Sequence, residues 1–314
     1  MEAKTTTKRK WFKRHAKKDE ARVLISRTAG EKVVYSIMFV IFALYAISII
    51  YPLFYLVMNS FQDWLEFSKG TIDAFALPNP FHFENYKEAV FGMKMFNSLG
   101  EEIGMIQMFF NSVWFCVVTI AGGVLMSSFT GYAMAKYKFK LRSAMYAIAI
   151  FSMTIPIVGT TGSMFKLVSD LNIYNTPFYA ILTSLGGFGF NFLVMYGFFS
   201  SISWSYAEAV FIDGGGHFTV FFRIMLPQAR MAMLTLAIVA FIGHWNDYMT
   251  MLLYMPDYPT LASGLYQISR LFTRGGNIPA YYAGLVIATI PVIIIFACFQ
   301  DTIMKNFSVG GLKG

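Results

Sequence analysis

The chain has 314 residues, 56% hydrophobic and only 13% charged, with a formal net charge of +8. Soluble domains carry about 25% charged residues, so this balance excludes an ordinary soluble enzyme and makes lipid the main solvent. The two cysteines lie inside apolar runs and the four histidines are scattered, which argues against a disulfide framework and against a Cys/His metal site.

In chain order, residues 1–32 form a basic tail with 11 Lys and Arg. The tail abuts an apolar run, so it reads as a topology signal near anionic lipid and not as a nucleic-acid site. Val33 to Met58 follows without a single charge. As a helix it would be about 39 Å long, against a hydrocarbon core of about 30 Å. That is too long for a signal-peptide core and no small-residue cleavage site follows, so it is expected to be a retained span. Residues 59–105 are expected to form an extracytoplasmic loop with seven acids and the turn-rich stretch PNPFHFENY. It is too short for a core of its own and suits a cap or a docking edge. Residues 106–303 hold five further runs, near Ile106–Ala135, Ala144–Phe165, Pro177–Ser200, Ala229–Met255 and Pro279–Ile303. Residues 304–314 form a tail. The expected fold is an all-α integral membrane protein with six spans.

Orientation follows from the cations. The N-terminal tail, the loop KYKFKLRS, the loop near Glu208 and the C-terminal tail together hold 19 Lys and Arg, against six on the other side. Positive charge stays inside, so both termini and the Glu208 loop are expected in the cytoplasm of a bacterial cell.

That loop, EAVFIDGGGHFTVFFRIMLP from Glu208 to Pro227, is half apolar. Ser205 and Glu208 have capping-box spacing. Ala207, Val210 and Phe211 share one helical face, predicted to be an exposed stripe. Gly214–Gly216 should stop the helix, and Pro227 fits the first turn of the next one.

The loop resembles the cytoplasmic motif of ABC importer permeases: E-A-A, three residues, G, nine residues, I, one residue, L-P. Glu208, Ala209, Gly214, Ile224, Leu226 and Pro227 match with every gap correct, while Val210 replaces the second alanine. The chain is most similar to MalG-type permeases of binding-protein-dependent carbohydrate importers. Asp213-Gly214, the WND of Trp245–Asp247, Asn111-Ser112 and the ending Gly310–Gly314 resemble further features of that group. The resemblance implies a type I importer permease bundle and a non-catalytic subunit. Its implied partners are a second, MalF-type permease, two cytoplasmic ABC ATPases, an extracytoplasmic solute-binding protein and a carbohydrate, with an oligosaccharide favoured. No cofactor is expected on this chain. It has no G-x-x-x-x-G-K-[ST] phosphate cradle, so ATP and Mg would sit on the ATPase. By resemblance Glu208, Ala209, Val210, Phe211, Asp213 and Gly214 would couple to the ATPase, as would Gly310, Gly311 and Lys313 of the tail.

For a substrate pathway the candidates are Asn191, His244, Trp245, Asn246, Asp247 and Tyr248. Asp247 is the acid deepest in a span, and His244 stands three residues earlier for pairing. Trp245 and Tyr248 suit either sugar stacking or interfacial anchoring. Pro156 should kink the third span, and the glycines before Asn191 suggest close helix packing. Two other readings stand beside the importer. One is a proton-coupled secondary transporter using Asp247 and His244, which should show related halves. The other is a non-transporting scaffold, which leaves the Glu208–Pro227 spacing unexplained.

Overall fold

The computed structural model describes residues 28–71, 75–154, 159–272 and 276–309. The expectations for most of the basic tail, for Pro156 and for Gly310, Gly311 and Lys313 lie outside the described residues.

Helix α1 (Ala29–Asn59) opens on a capping box that the sequence reading did not single out. The Thr28 N–H donates to Glu31 Oε2 at 2.8 Å, and the Glu31 N–H donates to Thr28 Oγ1 at 3.3 Å. The described residues 28–55 make one unit, and those from Leu56 onward make a second. In the first unit Val33, Phe39, Leu44 and Ile50 are all exposed. An apolar surface all round the helix suits lipid.

In the second unit, residues 59–105 fold into α2 (Trp64–Lys69), α3 (Glu84–Lys87, continued by a π turn at Glu88–Gly92) and the hairpin β1 (Lys94–Phe96) and β2 (Glu102–Gly104). Asp63 caps α2 by accepting from the Glu66 N–H, and left-handed Gly70 ends it. The hairpin pairs Met95 with Ile103. Both enter a core cluster with Met93, Met105, Met108, Trp245 and Leu261, so this segment is packed onto the helices as a cap.

Helix α4 (Met105–Lys136) is the organising rod. Its buried hydroxyls donate back into their own helix: Ser112 to Met108, Thr119 to Phe115 and Ser128 to Val124. This satisfies them without water, so a polar helix face can be buried in protein within lipid. Thr130 Oγ1 donates to the Gly187 carbonyl at 2.6 Å, and Gly131 lies against the backbone at Met195 and Tyr196.

Each apolar run predicted from sequence is helical, but only three are single helices. The third is α5 (Arg142–Thr154) and α6 (Thr160–Asp170). The fourth is α7 (Phe178–Ser184) and α8 (Phe190–Ser201), separated at a glycine-rich stretch where Gly189 has φ +138°. Next come α9 (Ser205–Ile212) and α10 (His217–Gln228), the latter with a π turn at Val220–Met225. The fifth run is α11 (Arg230–Trp245) and α12 (Met249–Tyr254). The amphipathic α13 (Leu261–Phe272) and the long α14 (Ile278–Val309) complete the order. Among the described residues α1, α4 and α14 are long and apolar enough to cross a membrane alone, and α10 with α11 makes a fourth candidate bent by 70°. Hydropathy marks where lipid is the solvent. It does not require the backbone ladder to run unbroken, and breaks are tolerated where protein covers them.

Candidate coupling helix and membrane cavity

Helix α9 is the folded form of the loop singled out by spacing. The proposed capping box is not made. The helix begins at Ser205, which lies inside the first turn, and no side chain caps it. Ser203 takes the local role instead, its Oγ accepting from the Ser205 N–H at 3.3 Å.

The C-terminus follows the predicted stop. Gly214 has φ +79°, a left-handed conformation that L side chains resist. Its N–H donates to Phe211 O at 3.0 Å, and the Gly215 N–H donates to Val210 O at 2.8 Å. This pair of bonds is a Schellman motif. A Cβ on Gly215 would meet Val210 Cγ1 at 2.5 Å, so the larger residue at the second-alanine position is accommodated by the second glycine.

The face assignment is corrected. Ala207 is fully buried, and Val210 and Phe211 pack against a cluster containing Tyr132, Phe199, Val220, Phe221 and Met225. That predicted stripe is the inner face. The exposed positions are Ser205, Tyr206, Glu208, Ala209, Ile212, Asp213 and Gly214. Ile212, at 86% exposed, was missed by the sequence reading; its cue was an apolar residue directly before the Asp-Gly stop. Pro227 falls in the short helical piece Leu226–Gln228 that ends α10, and not in the first turn of α11, which begins at Arg230, so that expectation is corrected.

The residues proposed for a substrate path separate. Helix α11 ends at Trp245, with Asn246 as its C-cap. Asp247 therefore leaves the helix, and the three-residue register with His244 is lost. The two side chains make no ion pair among the described residues. Instead Asp247 Oδ1 accepts from the Thr250 N–H at 3.0 Å, holding the start of α12, and His244 sets its ring edge-on to Phe115. Both line a cavity of about 250 Å³ with Phe115, Thr119, Tyr179 and Ser184.

Trp245, expected to suit either sugar stacking or interfacial anchoring, is held inside the protein as a pin. It is buried, stacks on Phe241 at 5.3 Å, meets Phe109 edge-on, and its indole N–H donates to Ala288 O at 3.0 Å. Asn246 bonds back to Ile242 O, and Tyr248 stacks on Tyr266 at 4.6 Å. Asn191 is half-buried at the start of α8 and is not among the cavity's lining residues.

Near the Met105 end of α4, Asn111 Nδ2 donates to Pro259 O at 3.0 Å, and Ser112 Oγ accepts from the Leu261 N–H at 2.8 Å. Close by in sequence, Asp257 clasps two distant loops. Its carboxylate accepts from the Ser98 N–H at 2.7 Å, from Ser98 Oγ at 2.6 Å and from Asn175 Nδ2. Partial burial pushes this carboxyl up, but the bonds from Ser98 and Asn175 outweigh it and hold it below the usual carboxylate range. A depressed carboxyl stabilises the fold fully above its unfolded value, and the contribution fades as pH falls through the lower folded value. With the intrinsic slowing of exchange in acid divided out, the protection of residues 97–101 should therefore fall below about pH 4. Asp257→Ala should show that low protection at every pH.

A groove of about 650 Å³ lies over α2 and α3, lined by Asp63, Trp64, His82, Glu84, Lys87 and Glu88 among others. It includes part of the PNPFHFENY stretch.

The fold is that of a mostly helical membrane permease. A solved chain of a bacterial ABC transporter involved in the import of the acidic polysaccharide alginate superposes with a TM-score of 0.71 at 21% identity, covering 88% of this chain and 98% of that one. Residues 123–309 match the family described as the binding-protein-dependent transport system inner membrane component. The chain belongs to that family: it is a multi-pass permease subunit of an ABC importer in the inner membrane and is not itself a catalyst. It is similar to a galactooligosaccharides transport system permease of Bacillus subtilis (28% identity, 88% of this chain and 94% of that protein). A diacetylchitobiose uptake system permease of Streptomyces coelicolor is 26% identical over 86% of each chain. A maltodextrin transport system permease of Streptococcus pneumoniae is 27% identical over 86% of this chain and 92% of its own.

Proposed function

We propose that this chain carries an oligosaccharide across the membrane as one half of a pathway shared with a second, MalF-type permease. Two copies of a cytoplasmic ATPase, bearing ATP and Mg, drive it. The names of the relatives support a carbohydrate cargo. Both termini and α9 face the cytoplasm, by the distribution of Lys and Arg. A solute-binding protein on the other side delivers the cargo over the groove around Asp63 and Glu84. His244 and Asp247 offer the cargo polar contacts from the cavity, while Asn246 lines a separate cavity of about 320 Å³.

The observation that carries this reading is α9 itself: a short helix seated on its own chain by Ala207, Val210 and Phe211, presenting Glu208, Ala209, Ile212 and Asp213 outward. Docking in a cleft on the ATPase would cover Ile212, whose exposure otherwise has no counterpart. The test is affinity purification of the permease from its native membranes. A protein with the G-x-x-x-x-G-K-[ST] motif and ATP hydrolysis should accompany it. Ile212→Asp and Gly214→Val should each abolish that association and ATP-driven uptake while the permease still reaches the membrane. Undiminished ATPase recovery with both variants would overturn the docking assignment.

A further inference from the structure

The contacts at the Lys136 end of α4 set out a path from α9 to the cavity that does not follow the chain. Lys136 Nζ donates to Ile202 O, just before α9. The Tyr137 ring packs edge-on against Trp204, the residue preceding α9, at 5.8 Å, and against His217, just after it, at 5.5 Å. The Tyr137 hydroxyl meets His217 Nδ1 at 2.8 Å. Phe211 of α9 closes the group, with its ring 4.9 Å from His217 and 6.1 Å from Trp204. Lys136, the last residue of α4, and its C-cap Tyr137 thus hold both flanks of α9. Buried Tyr132, one turn back, has its hydroxyl 3.3 Å from that of Tyr137, which extends the contact into the helix.

The covalent route is softer. From α9 the chain passes the left-handed Gly214, the π turn Val220–Met225 and the 70° bend into α11. Each is a place where rotation is absorbed. Helix α4 has no break over 32 residues, or about 48 Å. Phe115, Thr119 and Gly123 of that same helix line the cavity, and Asn111 and Ser112 hold the loop 259–261.

We propose that the last turn of α4 is the joint through which movement of α9 reaches the cavity, with Tyr137 and His217 as its positioning pair. This rests on the reading of α9 as the ATPase-docking helix. Tyr137→Phe and His217→Phe keep the ring packing and remove the hydrogen bond between them; Tyr137→Phe also loses the contact with the Tyr132 hydroxyl. His217→Asn restores an acceptor near Nδ1.

A reporter thiol at Gly123→Cys reads the cavity wall, in a chain with Cys116 and Cys298 changed to serine. The Gly123 site has room, since the Ser184 carbonyl lies 4.0 Å from an added Cβ. In the assembled complex, N-ethylmaleimide labelling of this thiol is compared with and without ATP and vanadate. Losing that neutral hydrogen bond should shrink the nucleotide-dependent change in rate about fivefold in His217→Phe, and by at least as much in Tyr137→Phe. His217→Asn should regain most of it, and co-purification of the ATPase should be unchanged throughout. A full nucleotide response in Tyr137→Phe and His217→Phe overturns the joint while leaving docking intact. Absence of the ATPase from the unsubstituted complex overturns docking, and the joint with it.

Discussion

Trp245→Ala is expected to cost the folded permease about 3 kcal/mol, the low end for deleting a buried tryptophan. The low end applies because lipid supplies little hydrophobic drive, so lost packing and the cavity left behind dominate. The indole fills a site between Phe109 and Phe241, and its N–H meets Ala288 O on α14. Phenylalanine keeps most of the ring contact and loses the hydrogen bond, so Trp245→Phe should cost about 1 kcal/mol. Thermal unfolding in detergent orders the two. If Trp245 met the cargo instead, alanine would weaken substrate-stimulated ATP hydrolysis and leave the unfolding temperature unchanged. That pattern would reinstate the stacking role.

The position of Trp245 shows where sequence reasoning reaches its limit. Its place in the WND triplet marks it as special, but the triplet does not say whether the ring points to cargo or to core. That depends on where α11 stops. The stop comes at Asn246, and the Asp247 carboxylate then accepts from the Thr250 N–H rather than pairing with the His244 side chain. An Asp three residues before a backbone N–H is a local signal for a helix start. It was legible, but the apolar run around it read as one uninterrupted span.

The apolar runs themselves were legible because lipid imposes composition directly. The Gly214 stop was legible because three glycines leave few alternatives. Which face of α9 packs inward was not, because the outward face mixes Glu208 and Asp213 with the apolar Ile212, while Val210 and Phe211 lie inside. A hydrophobic pattern orients a helix only when the far face is polar. The clasp of Ser98, Asn175 and Asp257 was beyond reach for another reason. Its members come from three separate loops, and each residue alone is an ordinary turn former. Likewise Tyr137 and His217 carry no local mark of their pairing.

Gly131→Val should be the second severe change, because the obstruction is backbone. A Cβ at Gly131 would stand 2.9 Å from both Met195 Cβ and Tyr196 N, and 3.0 Å from Met195 C. No rotamer change clears a neighbouring main chain, so α4 and α8 must move apart. Overpacking of this kind costs about 1–3 kcal/mol, occasionally more, and small residues are what let membrane helices approach so closely. The separation would also stretch the Thr130 bond to Gly187 and the Lys136 bond to Ile202. Gly197, on the same α8, has nothing within 4 Å of an added Cβ. Gly197→Ala should therefore be neutral or gain up to about 1 kcal/mol from helix propensity. Melting temperatures of the two variants beside the unsubstituted chain decide the point. Equal loss in both would mean that helix composition, and not the contact of α4 with α8, sets the stability of this part of the bundle.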